Sequence, residues 1–247
     1  MTKRLLAGCA LLALGASAST AADFGTGTDY YAPPQAAAPG PAGIFGDAHL
    51  SATYFGTEGD DDVSIDLGGV VVVPFGNGWN AALEGDVGYL FDAEEWVAVG
   101  SGHVFFLAST WAAGAFVEGA VTDADDALGV GVEAAAYIGN VDVIGTVGYG
   151  FSSPDFWAAS AATNVYFDPN TALTAGIGGA WADGGDGSYA ASVGLEHRFN
   201  NSPVSGFAEL GWTDITGDDT IIATAGARVV FGAAGRTLQD YNRANPF

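Results

Sequence analysis

Ser101 and His103 stand two residues apart, as do His49 and Ser51. On a strand that spacing puts both side chains of each pair on one face. A serine nucleophile with a histidine base also needs an orienting third group and oxyanion donors. The spacing alone supplies neither. The same polar phase carries Asp66, Glu84, Asp86, Glu118, Glu133, Asp142, Glu196 and Glu209, with Arg198 and Arg228 as its only arginines. A surface lined by Asp and Glu concentrates cations and repels anions. Three further clusters, Asp60-Asp61-Asp62, Asp123 to Asp126 and Asp183 to Asp186, offer hard oxygens suited to Ca²⁺ or Mg²⁺. None has EF-hand spacing, so they read as solvated loops, with divalent cations as the alternative occupant. Gly129-Val-Gly131 and Gly176-Ile-Gly178 lie inside strand patterns. They suit close backbone approach and not phosphate binding.

The composition narrows the setting. Of 247 residues, 49% are hydrophobic and only 14% charged, against roughly 25% charged in soluble chains. Six basic residues face 29 acidic ones, for a net charge of −23. That balance excludes nucleic acid as a partner, because phosphates need Lys and Arg to neutralise them. The single cysteine, Cys9, excludes a disulfide scaffold and a cysteine-based zinc site. No cofactor-binding motif is present, and no cofactor is expected.

Residues 1–22 have the three-part layout of a signal peptide: basic Lys3 and Arg4, apolar Leu5 to Leu14, then small residues. Cleavage is expected after Ala21 or Ala22, with Ala18 as an alternative. Leu6-Ala7-Gly8-Cys9 looks like a lipoprotein box but comes too early in the apolar run. Loss of this segment leaves four arginines, no lysine and a formal charge of −25. Residues 23–43, with Pro33, Pro34, Pro39 and Pro41, read as a flexible periplasmic linker.

From Ile44 the pattern has period two. Val63, Ile65, Leu67, Val71 and Val73 alternate with Ser64, Asp66 and Gly68. Trp79, Ala81, Leu83, Val87 and Tyr89 alternate with Asn80, Glu84, Asp86 and Gly88. Val97 to Val117 is long enough for an apolar membrane helix, but its glycines and a turn at Ser109-Thr110 fit a hairpin better. The alternation predicts twelve strands: 44–57, 63–73, 79–91, 96–107, 111–122, 128–138, 141–150, 156–167, 171–181, 188–198, 204–213 and 220–231. Transmembrane strands need ~9–11 residues, whereas soluble ones average ~5–6. The odd connections hold sixteen acidic residues, and the even ones hold one, Asp168. In an up-and-down meander the two sets lie at opposite ends, so the charge segregates in space. Trp79, Trp96, Trp111, Trp157, Trp181 and Trp212 fall in the apolar register near strand ends, as in an interface girdle.

With these features the chain resembles the outer-membrane β-barrels of Gram-negative bacteria, porin-like in the wide sense, over residues 44–231. Thr224-Ala-Gly226-Ala-Arg-Val229-Val-Phe231 looks like the assembly signal of that class's last strand. The signal usually ends the chain, whereas here 232–247 follows as a polar periplasmic tail, so either Phe231 or the terminal Phe247 could be its aromatic; Phe231 is favoured, since Arg236 to Pro246 is too polar for a strand. The resemblance implies an all-β, antiparallel up-and-down transmembrane barrel of about twelve strands, in contact with outer-membrane lipid and the barrel-assembly machinery. A barrel of ~8 strands is filled by side chains, and ~16–18 leave a channel. Small lumen residues in a barrel of intermediate size favour water-filled space. The expected function is a narrow, acid-lined, cation-preferring porin for small cations or polar solutes. Its expected lining is Glu84, Asp86, Glu118, Glu133, Asp142, Glu196, Arg198 and Arg228. The alternative is a structural or surface barrel that conducts nothing. Twelve-stranded outer-membrane lipid hydrolases use Ser and His on the outer wall, but both pairs here are in the inward phase, and no enzyme is expected. His197 is in the outward phase near a turn.

Overall fold

The computed structural model describes residues 43–57, 61–122, 126–151, 155–182, 187–215, 218–232 and 237–247. The expected signal peptide, almost all of the linker, Arg236 and much of the acidic connections lie outside these residues.

Twelve antiparallel strands close into one barrel in sequence order. They are β1 (Phe45–Thr57), β2 (Asp61–Gly76), β3 (Trp79–Leu90), β4 (Glu95–Leu107), β5 (Trp111–Thr122), β6 (Asp126–Ile138), β7 (Val141–Phe151), β8 (Phe156–Asp168), β9 (Thr171–Ala182), β10 (Gly187–Arg198), β11 (Val204–Ile215) and β12 (Asp218–Phe231). The closing seam pairs β1 with β12 without a break, from Gly46 opposite Phe231 to Thr57 opposite Thr220. Closure leaves no edge strand, so every strand's N–H and C=O groups have a neighbouring ladder. The stretch 97–117 is a hairpin, with β4 and β5 joined through residues 108–110.

The alternation read from the sequence sets inside from outside. Leu50, Ile65, Leu67, Leu83, Val132, Ile138, Ile177, Leu210 and Ile221 all point outward, and Leu83 is 70% exposed. Such a continuous apolar wall is far larger than the few hundred Å² a soluble monomer exposes. Hydrocarbon is the solvent that makes it favourable. At the turn end of that wall, Trp79 packs on Phe106 (5.6 Å between centroids) and Phe106 on Trp111 (5.5 Å). At the opposite end Tyr89 meets Trp96 (4.9 Å) and Tyr149 meets Trp157 (5.0 Å). Trp181 and Trp212 face outward at that end too.

The connections differ from expectation in length. Strands β2, β6, β11 and β12 each run two residues further into the acidic segments than the alternation indicated, and Asp61, Asp62, Asp126, Asp214, Asp218 and Asp219 are strand residues. Only residues 58–60, 91–94, 123–125, 152–155, 183–186 and 216–217 lie between the strands at that end. The two ends differ in charge, then, and hardly in loop length. Acidic residues suppress the alternation signal, although hydrogen-bonded pairing carries on, as in Asp214 opposite Asp219. At the other end Gly76, Asn77 and Gly78 all have positive φ and turn β2 into β3. Only glycine adopts that conformation without steric cost, and asparagine tolerates it better than most residues.

The described part of the polar tail, residues 237–247, holds structure that its reading from the sequence did not include. A helix, α1 (Leu238–Ala244), follows β12 and sits inside the turn end of the barrel. Thr237 caps it: its hydroxyl accepts from the Asp240 amide, and the Asp240 carboxylate accepts from the Thr237 amide. Leu238, Tyr241 and Ala244 are three apart and share one face, and all are buried. This segment is short, and its apolar positions are diluted by Gln239, Asp240, Asn242 and Arg243. It therefore carries neither a strand-length alternation nor a clear helical one.

Candidate functional site

The inner wall is stacked in layers along the barrel axis. At the turn end Phe45, Val72, Phe105, Ala112, Ala135, Tyr137, Ile144 and Val230 point inward and form one apolar cluster with Tyr241, Ala244 and Phe247. Tyr166 and Ala172 hold Leu238 beside it. Phe247 stands edge-on to Phe105 at 5.5 Å, and Tyr241 edge-on to Phe45 at 6.1 Å. Phe247 is therefore a lumen residue and not the outward aromatic of a last strand. Polar contacts pin the same segment. Arg243 binds Asp142 at 2.7–2.8 Å and the Gly139 carbonyl at 2.6 Å. The Tyr241 hydroxyl donates to Asp47. Burial pushes that hydroxyl's pKa up, and the Asp47 charge adds to the effect, so it remains a donor. The Gln239 amide donates to the Pro169 carbonyl. The tail is thus seated like a stopper, apolar against the wall and tied to it by an arginine.

The middle layer is polar. Arg228 lies 3.0 Å from Glu196 and 3.7 Å from Asp47, with the Phe207 ring beneath its guanidinium. Ser205 donates to the other oxygen of Glu196. His49 is 2.7 Å from Asp86 through Nε2 and 3.6 Å from Asp47 through Nδ1. Its neighbour Ser51 takes no part. Nearer the acidic end, Ser64 and Thr53 donate to Asp66 at 2.9 and 3.1 Å.

On the opposite wall, Ser101 Oγ is 2.7 Å from His103 Nε2, and His103 Nδ1 is 2.9 Å from Glu133 Oε2. The three residues come from β4 and β6, with β5 between them. Glu133 reaches across at Gly114, where a Cβ would meet its Oε1 at 2.7 Å. The orienting partner for His103 is thus supplied from 30 residues away, which local spacing could not reveal. The signal that could have found it was the pairing register: Glu133 falls opposite Gly114 and His103 opposite Phe116.

All eight expected lining residues occupy inward positions of their strands. They do not all face open lumen. Glu133, Asp142, Glu196 and Arg198 are almost fully buried: Glu133 binds His103, Asp142 binds Arg243, Glu196 binds Arg228, and Arg198 Nε donates to the Ser202 carbonyl. Glu84 and Glu118 sit on either side of Ser101, opposite it on β3 and β5. Among the described residues neither carboxylate is in an ion pair. Thr224 and Gly226 of the expected assembly signal face inward, whereas Val229 and Phe231 face outward. Phe231 folds over Gly46 of β1, where a Cβ would meet its ring at 2.8 Å. His197, half-buried, lies 3.0 Å from the Thr171 hydroxyl through Nδ1. Among the described residues no cluster of three or more His, Cys, Asp or Glu is arranged to hold a metal.

No protein-family model matches the sequence, and no curated protein does. Solved structures do match the fold. The NanC porin superposes with a TM-score of 0.60 at 8% identity, covering 74% of this chain and 98% of the porin. The KdgM porin gives 0.56 at 11% identity, covering 74% and 99%. An outer-membrane channel from Pseudomonas putida F1 gives 0.56 at 14% identity, covering 84% and 100%. At these identities the likeness bears on the fold. Together with the lipid-facing wall, it identifies an outer-membrane β-barrel of porin-like architecture, located in the cell outer membrane.

Proposed function

We propose that this barrel is a narrow channel for small polar solutes that prefers cations. The observation that supports this reading is the distribution of charge across the lumen. Arg228 is taken up by Glu196 and Asp47, and Arg243 by Asp142. Glu84, Glu118 and Asp66 then line the middle and upper lumen with no arginine paired to them among the described residues. Fixed charge of one sign in a confined, low-dielectric passage focuses counter-ions. The acidic hairpins at one end add to the same field, and neutral or cationic solutes fit it better than anionic ones. The enzyme class of this fold that works on lipid from the outer wall is not favoured, because both Ser–His pairs face inward. A single-channel recording of the purified, refolded protein in a KCl gradient tests the reading. A reversal potential on the potassium side is expected, and one on the chloride side would reject it.

The stopper favours one second reading, a barrel closed at its turn end that conducts nothing and serves as a surface or structural protein. The same recording separates the two, since a permanently seated tail gives no current.

A further inference from the structure

The Ser101–His103–Glu133 constellation is not needed for a channel, and it is built with care. His103 is held from three sides. Glu133 accepts at Nδ1, Ser101 lies at Nε2, and the Phe116 ring covers one face at 5.9 Å with a 32° tilt. Glu133 is 4% exposed and His103 7%, while Ser101 remains half-open to the lumen. Two glycines make the arrangement possible. Gly114 clears the route for the Glu133 carboxylate. Gly131 leaves room for the Phe116 ring, which a Cβ would meet at 2.4 Å. A nucleophile within hydrogen-bond reach of a base, which is itself oriented by a buried carboxylate, is the geometry of an activated serine.

We infer that Ser101 is a nucleophile, with His103 its general base and Glu133 the residue that positions His103, and that the lumen hydrolyses small carboxylic esters entering from the acidic end. Ser101 Oγ forms a bond to the ester carbonyl carbon as its proton passes to His103 Nε2. Collapse of the adduct breaks the bond to the alkoxy oxygen, and the alcohol leaves with that proton. A lumen water then attacks the acyl-serine, gives its proton to the same nitrogen, and releases the acid while Oγ is reprotonated. Glu84 and Glu118, flanking Ser101 on the neighbouring strands, disfavour anionic substrates and admit neutral or cationic ones. The amides of β4 are committed to its two ladders, so no backbone cradle awaits the oxyanion. Absence of one such donor costs about 10²–10³ in rate. Covalent capture is therefore a more sensitive readout than turnover.

The test uses the full-length refolded protein in detergent and a small, uncharged dialkyl fluorophosphate. Serine attack on phosphorus expels fluoride and leaves a stable adduct, which peptide mass mapping locates. Adduct on Ser101 is expected, with none there in Ser101→Ala. His103→Ala should slow capture by about 10². Glu133→Gln should slow it at least several-fold, and Glu133→Asp should restore part of the rate, which a merely structural role would not do. Ser51→Ala should leave capture unchanged. Each variant is first checked for the heat-modifiable migration of a folded barrel. Should the buried His103 or Glu133 variants fail to fold, Ser101→Ala and acid-unfolded wild type still decide whether labelling needs this serine in its folded setting. No adduct on Ser101 in folded wild type, or equal capture by folded His103→Ala, overturns the inference. Ion conductance is measured separately, so a failed channel reading leaves this test intact, and the reverse also holds.

Discussion

Glu84, Asp86 and Glu118 carry different weights although all three face the lumen. Asp86 is matched by His49 at 2.7 Å, whereas Glu84 and Glu118 have no ion-pair partner among the described residues. A charge at contact distance contributes about 1 kcal/mol in a water-like dielectric and more in a confined one. Changing Glu84 and Glu118 to Gln is therefore expected to lower the potassium-to-chloride permeability ratio by roughly fivefold at low salt, and by less at 1 M, where the Debye length is about 3 Å. Asp86→Asn alone should do much less. Reversal potentials at two ionic strengths check this, and an unchanged ratio would mean that ions bypass this layer. Phe231 acts at the same scale. It closes the seam over Gly46 and ends the last strand on the outer wall. Phe231→Asp puts a charge on that wall and removes the terminal aromatic of the motif, so the expected outcome is loss of insertion, seen as loss of heat-modifiable migration.

At the scale of elements, α1 and the three residues after it pack against the inner wall at the turn end, and on the proposed channel reading they set whether the lumen is open there. Leu238, Tyr241 and Phe247 are buried there, and each such side chain is stabilising by about 1.5–3 kcal/mol. Those contacts hold the tail in place, but the barrel closes through the pairing of β1 with β12 and does not need them. Truncation after Gly232 is expected to leave insertion and heat-modifiable migration intact and to raise the single-channel conductance. Arg243→Ala should give the same change in weaker form, as brief openings, because it frees Asp142 and the Gly139 carbonyl while leaving the apolar contacts. Equal conductance in the truncated and full-length proteins would place the ion path away from the stopper.

Across the whole molecule, the even number of strands puts both ends of the barrel domain on one side of the membrane, with the acidic hairpins on the other. The charge asymmetry sets the expected orientation, acidic end outward and turn end periplasmic. Single cysteines at Asp61 and Asp92 should react with an impermeant maleimide on intact cells, and one at Asn140 should react only after lysis. The reverse pattern would invert the barrel and put the stopper at the cell surface.

Strand number and the inside–outside assignment were legible in the sequence because they are local. A period of two is written directly into neighbouring side chains, and the outward Val63-Ile65-Leu67 run or the inward Glu84-Asp86 pair needs no distant residue to be recognised. Closure was legible too, since open edges are excluded in lipid. Strand ends were not, because Asp214 and Asp219 pair across a hairpin without any apolar alternation to mark them. The lining residues were found as a face, but whether each meets water or a partner depended on contacts between strands far apart in the chain. Glu196 finds Arg228 across 32 residues, and Asp142 finds Arg243 across 101. The same holds for His103: its serine partner lies two residues away and was visible, whereas Glu133 arrives only through the register of β5 and β6 over a glycine. The tail was the extreme case. Its helix is too short to be stable alone, and only the wall formed by Phe45, Phe105 and Tyr137 gives Tyr241 and Phe247 something to bury against.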